Sequence, residues 1–191
     1  MIKAERKKKG NFWAKVLFSA ALCLAGPAAF AAENPNQEGR MNSKNIIPDG
    51  AAFDAVNIFG KGQPNTAYAR YFTGNSFLQP LQISGGTCPV SISNVTFEPG
   101  CRNNWHVHRA SSGGGQVIIC TAGSGWYQLE GQPAVSMEPG DAAYFPAGVK
   151  HWHGAKAGSW FSHLAFELPG ENTSNEWLEP VTDAEYRALA E

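Results

Sequence analysis

Cysteine is scarce in this chain of 191 residues: there are four, and only Cys88, Cys101 and Cys120 follow residue 31. An odd number allows at most one intramolecular disulfide and leaves one thiol over. A fold held together by several disulfides is therefore excluded. The three cysteines are interpreted either as one disulfide and a thiol, which export would permit, or as small apolar residues buried in strands.

Long hydrophobic runs are also absent, apart from residues 16–25 near the start. This run follows a stretch rich in lysine and precedes Ala29-Phe30-Ala31, which has the pattern of a cleavage site. The layout predicts a secretory signal peptide over residues 1–31, and therefore a periplasmic or secreted protein with no membrane association after cleavage. A membrane anchor is the alternative, although the run is short for a bilayer and Pro27 interrupts it.

Basic residues are few beyond this segment. Residues 1–31 hold six of the 15 Lys and Arg and one of the 16 Asp and Glu. The remaining 160 residues therefore carry nine basic and 15 acidic groups, a formal net charge of −6. Nucleic-acid and anionic-lipid binding need a basic surface, so we expect neither partner. A small-molecule substrate or ligand is the expected partner.

Helical periodicity is nearly absent as well. Residues 32–69 are expected to form an N-terminal extension, and only the tail, residues 181–191, is predicted to be helical, because Thr182 and Glu185 have the spacing of a capping box. Between these parts, short runs of alternating or β-branched residues are separated by Gly and Pro turns. The predicted strands cover residues 78–83, 90–97, 116–120, 126–129, 134–137, 142–145 and 159–167. This spacing predicts an all-β sandwich or barrel.

Histidine is confined to one part of the chain. All five lie between positions 106 and 163, and four form two His-x-His pairs, His106 with His108 and His151 with His153. Residues i and i+2 of a strand face the same side, so each pair can direct two imidazoles into one space. Imidazole is a good ligand for first-row transition metals, so the pattern predicts a metal site in a β-barrel. The alternative for His106 and His108 is that they face solvent from their strand. The thiolate of Cys101 is an alternative ligand, although its strand parity is opposite to that of these two histidines.

Two ordered motifs in this region resemble those of the cupin superfamily. The first consists of Gly100, His106-x-His108, Gln116 and Gly123, and the second of Gly140, Pro146-x-Gly148 and His151. Gln116 stands where most cupins have Glu, and seven residues separate it from His108 instead of three or four. The extra residues include Gly113-Gly114-Gly115, which indicates a looped insertion.

The resemblance implies a double-stranded β-helix, or jelly-roll barrel, over residues 70–180. It also implies that the ligands of one divalent metal are His106, His108, Gln116 and His151. A set of three His and one Gln is similar to that of manganese-dependent bacterial cupins, a group that includes hydroxynitrile lyases and carboxymuconolactone decarboxylase-associated cupins. Mn(II) is therefore the favoured metal, with Fe(II), Zn(II) and Ni(II) as alternatives. A homo-oligomer, dimer or tetramer, is expected on the same ground.

Four neutral ligands would leave a divalent site at a net charge of +2, whereas Glu at position 116 would leave it at +1. A more electropositive metal acidifies a bound hydroxyl more strongly and is a poorer electron donor to O2. The expected activity is therefore that of a lyase on a small hydroxylated substrate, with cleavage of a cyanohydrin-type C–C bond as one form of it. A metal-dependent dioxygenase and a non-catalytic ligand-binding cupin are the alternatives.

The remaining site residues have two readings each. Gln116 is either a ligand or a polar residue that caps the barrel mouth. His153 is expected either to orient a ligand or substrate or to pack beside Trp152. The resemblance places His163 in the pocket, where a near-neutral pKa would suit a general base, and a buried core histidine is the other reading. His163 and His153 are the candidate catalytic residues.

Overall fold

A computed structural model describes residues 45–189, and the predicted signal peptide lies outside the described residues. The strands are β1 (Gln63–Pro64), β2 (Phe72–Thr73), β3 (Ser76–Leu81), β4 (Ser91–Phe97), β5 (Arg102–Asn103), β6 (His106–Arg109), β7 (Ser112–Gly113), β8 (Gln116–Gly123), β9 (Gly125–Leu129), β10 (Val135–Met137), β11 (Ala142–Phe145), β12 (Lys150–Ala155), β13 (Phe161–Glu167), β14 (Gly170–Glu171) and β15 (Ser174–Trp177). The α-helices in this part of the chain are α1 (Gly50–Val56) and α2 (Asp183–Arg187), and one turn of 3-10 helix covers Ala69–Tyr71. None of them is long and apolar enough to cross a bilayer.

The strands form two main antiparallel sheets. In one, the order is β1-β3-β4-β13-β8-β11. In the other, the order is β10-β9-β12-β5-β2, and β6 joins the sheet by pairing with β12 and β15. The many pairings between strands that are distant in the chain are those of a jelly roll, so the predicted all-β barrel is confirmed.

The core lies between the two sheets and is built from alternate residues of the strands. On β8, Gln116, Ile118 and Cys120 are buried, while Val117 and Ile119 between them are partly exposed. This alternation is what a strand with one face on a core requires. Phe97, Phe145 and Phe161 belong to the same buried cluster. Because the core is filled by side chains of both sheets, polar groups on the inward faces are removed from water.

The C-terminal helix is confirmed, and it is shorter than the predicted range of residues 181–191. Thr182 accepts a hydrogen bond from the Glu185 backbone N–H, and the Glu185 carboxylate accepts one from the Thr182 N–H, which completes the predicted capping box. The expectation that only the tail is helical is wrong. Residues 50–56 form α1, which begins where Asp49 accepts a hydrogen bond from Ala52 N–H and buries one aromatic residue, Phe53. A single buried side chain in seven residues gives too weak a periodicity to be recognised.

The insertion between His108 and Gln116 is a small antiparallel ladder. Ser112 and Gly113 of β7 pair with Glu171 and Gly170 of β14. Gly115, just before β8, has a φ of +96°, and a Cβ there would lie 2.4 Å from the Phe145 carbonyl oxygen. The glycine run is therefore needed for the chain to turn closely into β8.

The described cysteines form no disulfide. Cys88 is exposed, whereas Cys101 and Cys120 are buried, which agrees with the second of the two sequence-based interpretations for the latter two. Burial raises the pKa of Cys101 to about 12. Its thiol stays protonated at neutral pH and is absent from the group of side chains that could hold a metal.

Gly123 provides a test of how strictly the barrel constrains its backbone. Its φ is +70°, and a Cβ would lie 1.9 Å from the Trp160 carbonyl oxygen. Gly131 has a φ of +74°, but no heavy atom lies within 4 Å of its Cβ position. We expect Gly131→Ala to reduce the free energy of unfolding by about 1–2 kcal/mol, the cost of the left-handed conformation. Gly123→Ala should cost more than about 4 kcal/mol because the backbone must also move.

Chemical denaturation of both variants measures this difference. Equal losses for the two alanine variants would contradict the close contact between β8 and the start of β13.

Candidate metal centre

Three histidines come together because two neighbouring strands present them side by side. His106 and His108 lie on β6, and His151 lies on β12, where it is paired directly with His106. The ring centroids of His106 and His151 are 4.2 Å apart, and that of His108 is 5.2 and 5.4 Å from these two. All three side chains are buried. One ligand atom from each lies within 4.8 Å of the others, so this group could hold a metal ion.

Backbone carbonyls fix the orientation of two of these rings. The Nδ1 atom of His106 donates to the Asn104 carbonyl at 3.0 Å, and that of His151 donates to the Val149 carbonyl at 2.9 Å. With the proton on Nδ1, the lone pair is on Nε2. The Nε2 of His151 is buried and has no hydrogen-bond partner. A metal-binding histidine usually has this arrangement, in which one nitrogen donates to the protein and the other is left for the ion.

Burial keeps these rings neutral. It lowers the pKa of His151 to about 3, and it lowers the pKa of His106 well below its ordinary value. The Phe145 ring contributes to this burial, since it stacks on His151 at 4.0 Å between centroids. Neutral imidazole is the form that binds metals, so no proton has to be displaced from either ring when an ion binds.

Gln116, at the first position of β8, is linked to the three-histidine group through Glu167. Its Nε2 donates to the Oε1 of Glu167 at 3.0 Å, while its Oε1 is buried and has no partner. The Oε2 of Glu167 lies 2.9 Å from the Nδ1 of His108. Unpartnered acceptors are costly to bury, and a divalent cation would satisfy the Oε1 atom and the free imidazole nitrogens together. The donor set therefore fits a metal.

The other two histidines form a second buried pair beside the first group. His163 Nε2 and His153 Nδ1 are 3.1 Å apart, so one of these nitrogens donates a hydrogen bond to the other. Asn103 accepts from the His153 backbone N–H, and its Nδ2 lies 3.1–3.2 Å from both ring nitrogens of His153. Because an amide nitrogen only donates, one nitrogen of His153 must carry a lone pair.

The near-neutral pKa expected for His163 is wrong. Burial lowers it to about 3, and burial also lowers the pKa of His153 well below its ordinary value. The ring of His153 is the nearer of the two to the three-histidine group, with its centroid 5.4 Å from that of His106.

The structure thus brings the five histidines into one buried region and links Gln116 to them through Glu167. Glu167, Asn103 and Trp177, whose ring centroid is 4.8 Å from that of His106, also belong to the site but were not identified from the sequence. Glu167 lies four residues after His163 in the same predicted strand, so the period of two would have placed both side chains on one face. No comparable signal exists for Asn103 or Trp177, since each reaches the site through strand pairings that local pattern does not reveal.

Fold and site together define an all-β barrel protein with a buried three-histidine group able to hold a metal. The Cupin domain family matches residues 93–160. Over 119 residues the chain is 41% identical to an (R)-mandelonitrile lyase from Granulicella tundricola. The match covers 62% of this chain and 88% of that protein. A cupin-like protein from Thermotoga maritima is similar in structure, with a TM-score of 0.59 and 35% identity over 68% of this chain and 94% of the other. The protein belongs to the cupin family.

Metal binding is expected to depend on His106 and not on His163, although both are buried histidines inside the barrel. His106→Ala removes a nitrogen of the three-histidine group, so the metal affinity should fall by more than the roughly 10–100-fold that follows removal of an outer hydrogen-bond partner. The purified variant should therefore retain little metal. The matched variant His163→Ala should retain its metal. Plasma mass spectrometry of both purified proteins, checked for folding by circular dichroism, measures this, and a metal-replete His106→Ala protein would exclude His106 as a ligand.

Proposed function

We propose that this protein is a metal-dependent lyase that cleaves a small hydroxylated substrate, with a cyanohydrin as the form of substrate best supported. The observation that carries the proposal is the pairing of two buried groups. One is the three-histidine group, whose ligand atoms lie within 4.8 Å of one another, and the other is a neutral histidine pair beside it. The relative named (R)-mandelonitrile lyase, 41% identical and covered over 88% of its length, supports the choice of substrate class.

In this proposal the metal is held by the Nε2 atoms of His106 and His151, by the ring of His108 and by the Oε1 of Gln116. These four ligands are neutral and mix nitrogen with oxygen, which suits Mn(II) or Fe(II), with Zn(II) and Ni(II) as further candidates. A divalent ion at this position supplies Lewis acidity, which lowers the pKa of a bound substrate hydroxyl.

His153 takes the hydroxyl proton. Its ring is neutral and lies next to His106, and the hydrogen bonds with Asn103 and His163 hold its orientation. When the proton leaves, the C–O bond becomes a carbonyl, the bond to the nitrile carbon breaks, and cyanide departs with the electron pair. The proton then passes from the histidine pair to cyanide, so that aldehyde and hydrogen cyanide are the products. The released anion offsets the positive charge that burial would otherwise make unfavourable on the histidine pair.

Aromatic rings surround the two groups and limit access of water. Phe97 lies 5.8 and 5.6 Å from the rings of His153 and His163, between centroids. Trp177 covers His106, and Tyr71 stacks on Trp177 at 4.7 Å. Low water content strengthens the electrostatic interactions within the site and protects the proton transfer from leakage. These rings also favour an apolar substituent on the substrate.

The proposal includes a periplasmic or secreted location and a homo-oligomeric state. The first is supported by the three-part pattern of residues 1–31 and the second by family resemblance.

Cleavage of racemic mandelonitrile by the Mn(II)-loaded protein tests the proposed function. Enzymatic cleavage should consume one enantiomer faster, whereas spontaneous decomposition consumes both equally, so chiral chromatography separates the two. His153→Ala should lower kcat by roughly 10²–10⁴-fold, the usual contribution of a general base, while retaining the metal. Equal loss of both enantiomers with a series of cyanohydrins would exclude the lyase. Substrate-dependent O2 consumption would instead identify a dioxygenase, and tight binding without turnover would identify a ligand-binding cupin.

A further inference from the structure

Glu167 is a carboxylate that contacts two of the proposed metal ligands at once. It is the last residue of β13 and is paired directly with Gln116, the first residue of β8. One carboxylate oxygen accepts from the Gln116 Nε2 at 3.0 Å, and the other lies 2.9 Å from the His108 Nδ1. Both neighbours belong to the proposed ligand set, so a single side chain can influence two ligands.

The contact with Gln116 determines which end of the amide faces the centre. The oxygen and nitrogen ends of a glutamine amide are almost identical in shape, and only their hydrogen-bonding character distinguishes them. A carboxylate only accepts hydrogen bonds, so the NH2 end must face Glu167 and the oxygen must face the opposite way. In the structure that oxygen is the buried, unpartnered Oε1. Without Glu167 the amide could rotate and direct a hydrogen-bond donor, which repels a cation, at the ion.

The same contact changes the charge of the centre. Counting only the four neutral ligands gives a net charge of +2 for a divalent ion, as the sequence alone suggests. The Glu167 carboxylate adds −1 within hydrogen-bond distance of Gln116 and beside His108. The total becomes +1, the value that a glutamate ligand at position 116 would give. The negative charge is then present near the ion while the ligand itself stays neutral.

The geometry points to Glu167 as the positioning residue that holds the Gln116 Oε1 toward the metal and supplies the negative charge that the ligand set lacks. This assignment rests on the proposed metal site. The side chain is 41% exposed, so its replacement removes little packing. Glu167 and Gln116 form one carboxylate–amide pair, and exchanging the two residues keeps one carboxylate and one amide at these positions.

An exchange experiment tests the pair. Three proteins are compared with the wild type: Glu167→Gln, the double variant Gln116→Glu/Glu167→Gln, and the control Glu171→Gln. Glu171 is an exposed glutamate four residues further on, in β14, so the control makes the same chemical change outside the pair. Each protein is stripped of metal and titrated with MnCl2 by equilibrium dialysis, and its Mn(II) electron paramagnetic resonance spectrum is recorded. Circular dichroism confirms that each variant is folded.

Glu167→Gln should weaken Mn(II) binding roughly 10–100-fold, the range typical for loss of a hydrogen-bond partner of a metal ligand, and should change the spectrum. The exchanged double variant again has one carboxylate, one amide and the same total charge, so it should recover most of the affinity. Glu171→Gln should match the wild type in both measurements.

Wild-type affinity in Glu167→Gln, or a double variant no better than the single one, would overturn the assignment. These outcomes are distinct from failure of the proposed function. Absence of Mn(II) binding by the wild type would overturn both the metal site and the role of Glu167. A wild type that binds Mn(II), shows the expected pattern of variants and cleaves no cyanohydrin would overturn the lyase alone.

Discussion

The hydrogen bonds that His106 and His151 make to their own backbone are the constraint on which the site depends. In both cases Nδ1 donates to the carbonyl oxygen two residues earlier in the chain, of Asn104 and of Val149. Each bond fixes the tautomer and the rotation of a ring without any partner from elsewhere in the fold. Because β6 and β12 are antiparallel neighbours, two locally oriented imidazoles then meet across one strand pair. The barrel has only to pair these strands in the correct register to bring the rings together.

The strand that provides His151 and His153 must be buried on both faces. The two histidines point toward the barrel interior, and Trp152, between them, points the other way into a separate apolar cluster with Trp105, Val181 and Tyr186. The C-terminal helix covers that cluster. Arg102 holds the helix in place by donating hydrogen bonds to the Val181 carbonyl and by forming an ion pair with Asp183. The short tail is therefore part of what keeps water from the strand that carries the site. This double burial explains why the pKa values of the inward histidines are low.

Local pattern predicted those parts of the structure that depend on one strand at a time. The period of two predicted that each His-x-His pair shares a face, and the turn residues predicted seven of the fifteen strands in the described residues to within three residues. Trp177 could not be found in this way, because it reaches His106 through the pairing of β15 with β6, between segments about seventy residues apart. Asn103 is missed for a similar reason, since its role comes from contact with a strand fifty residues away. Contacts of this kind depend on register, which alternation leaves undetermined.

A one-residue β-bulge shows what register contributes. β13 pairs with β4 on one side so that His163 faces inward opposite Val95. On its other side the pairing with β8 shifts by one residue between Ser162 and His163, so that no residue of β13 lies directly opposite Thr121 and His163 lies opposite Cys120. Without the shift, His163 and Glu167 would pair with Thr121 and Val117, whose side chains face outward, in conflict with the register on the β4 side. With the shift, Glu167 meets Gln116. A single extra residue in β8 thus aligns the inward faces of three strands and brings the carboxylate of Glu167 to the amide of Gln116.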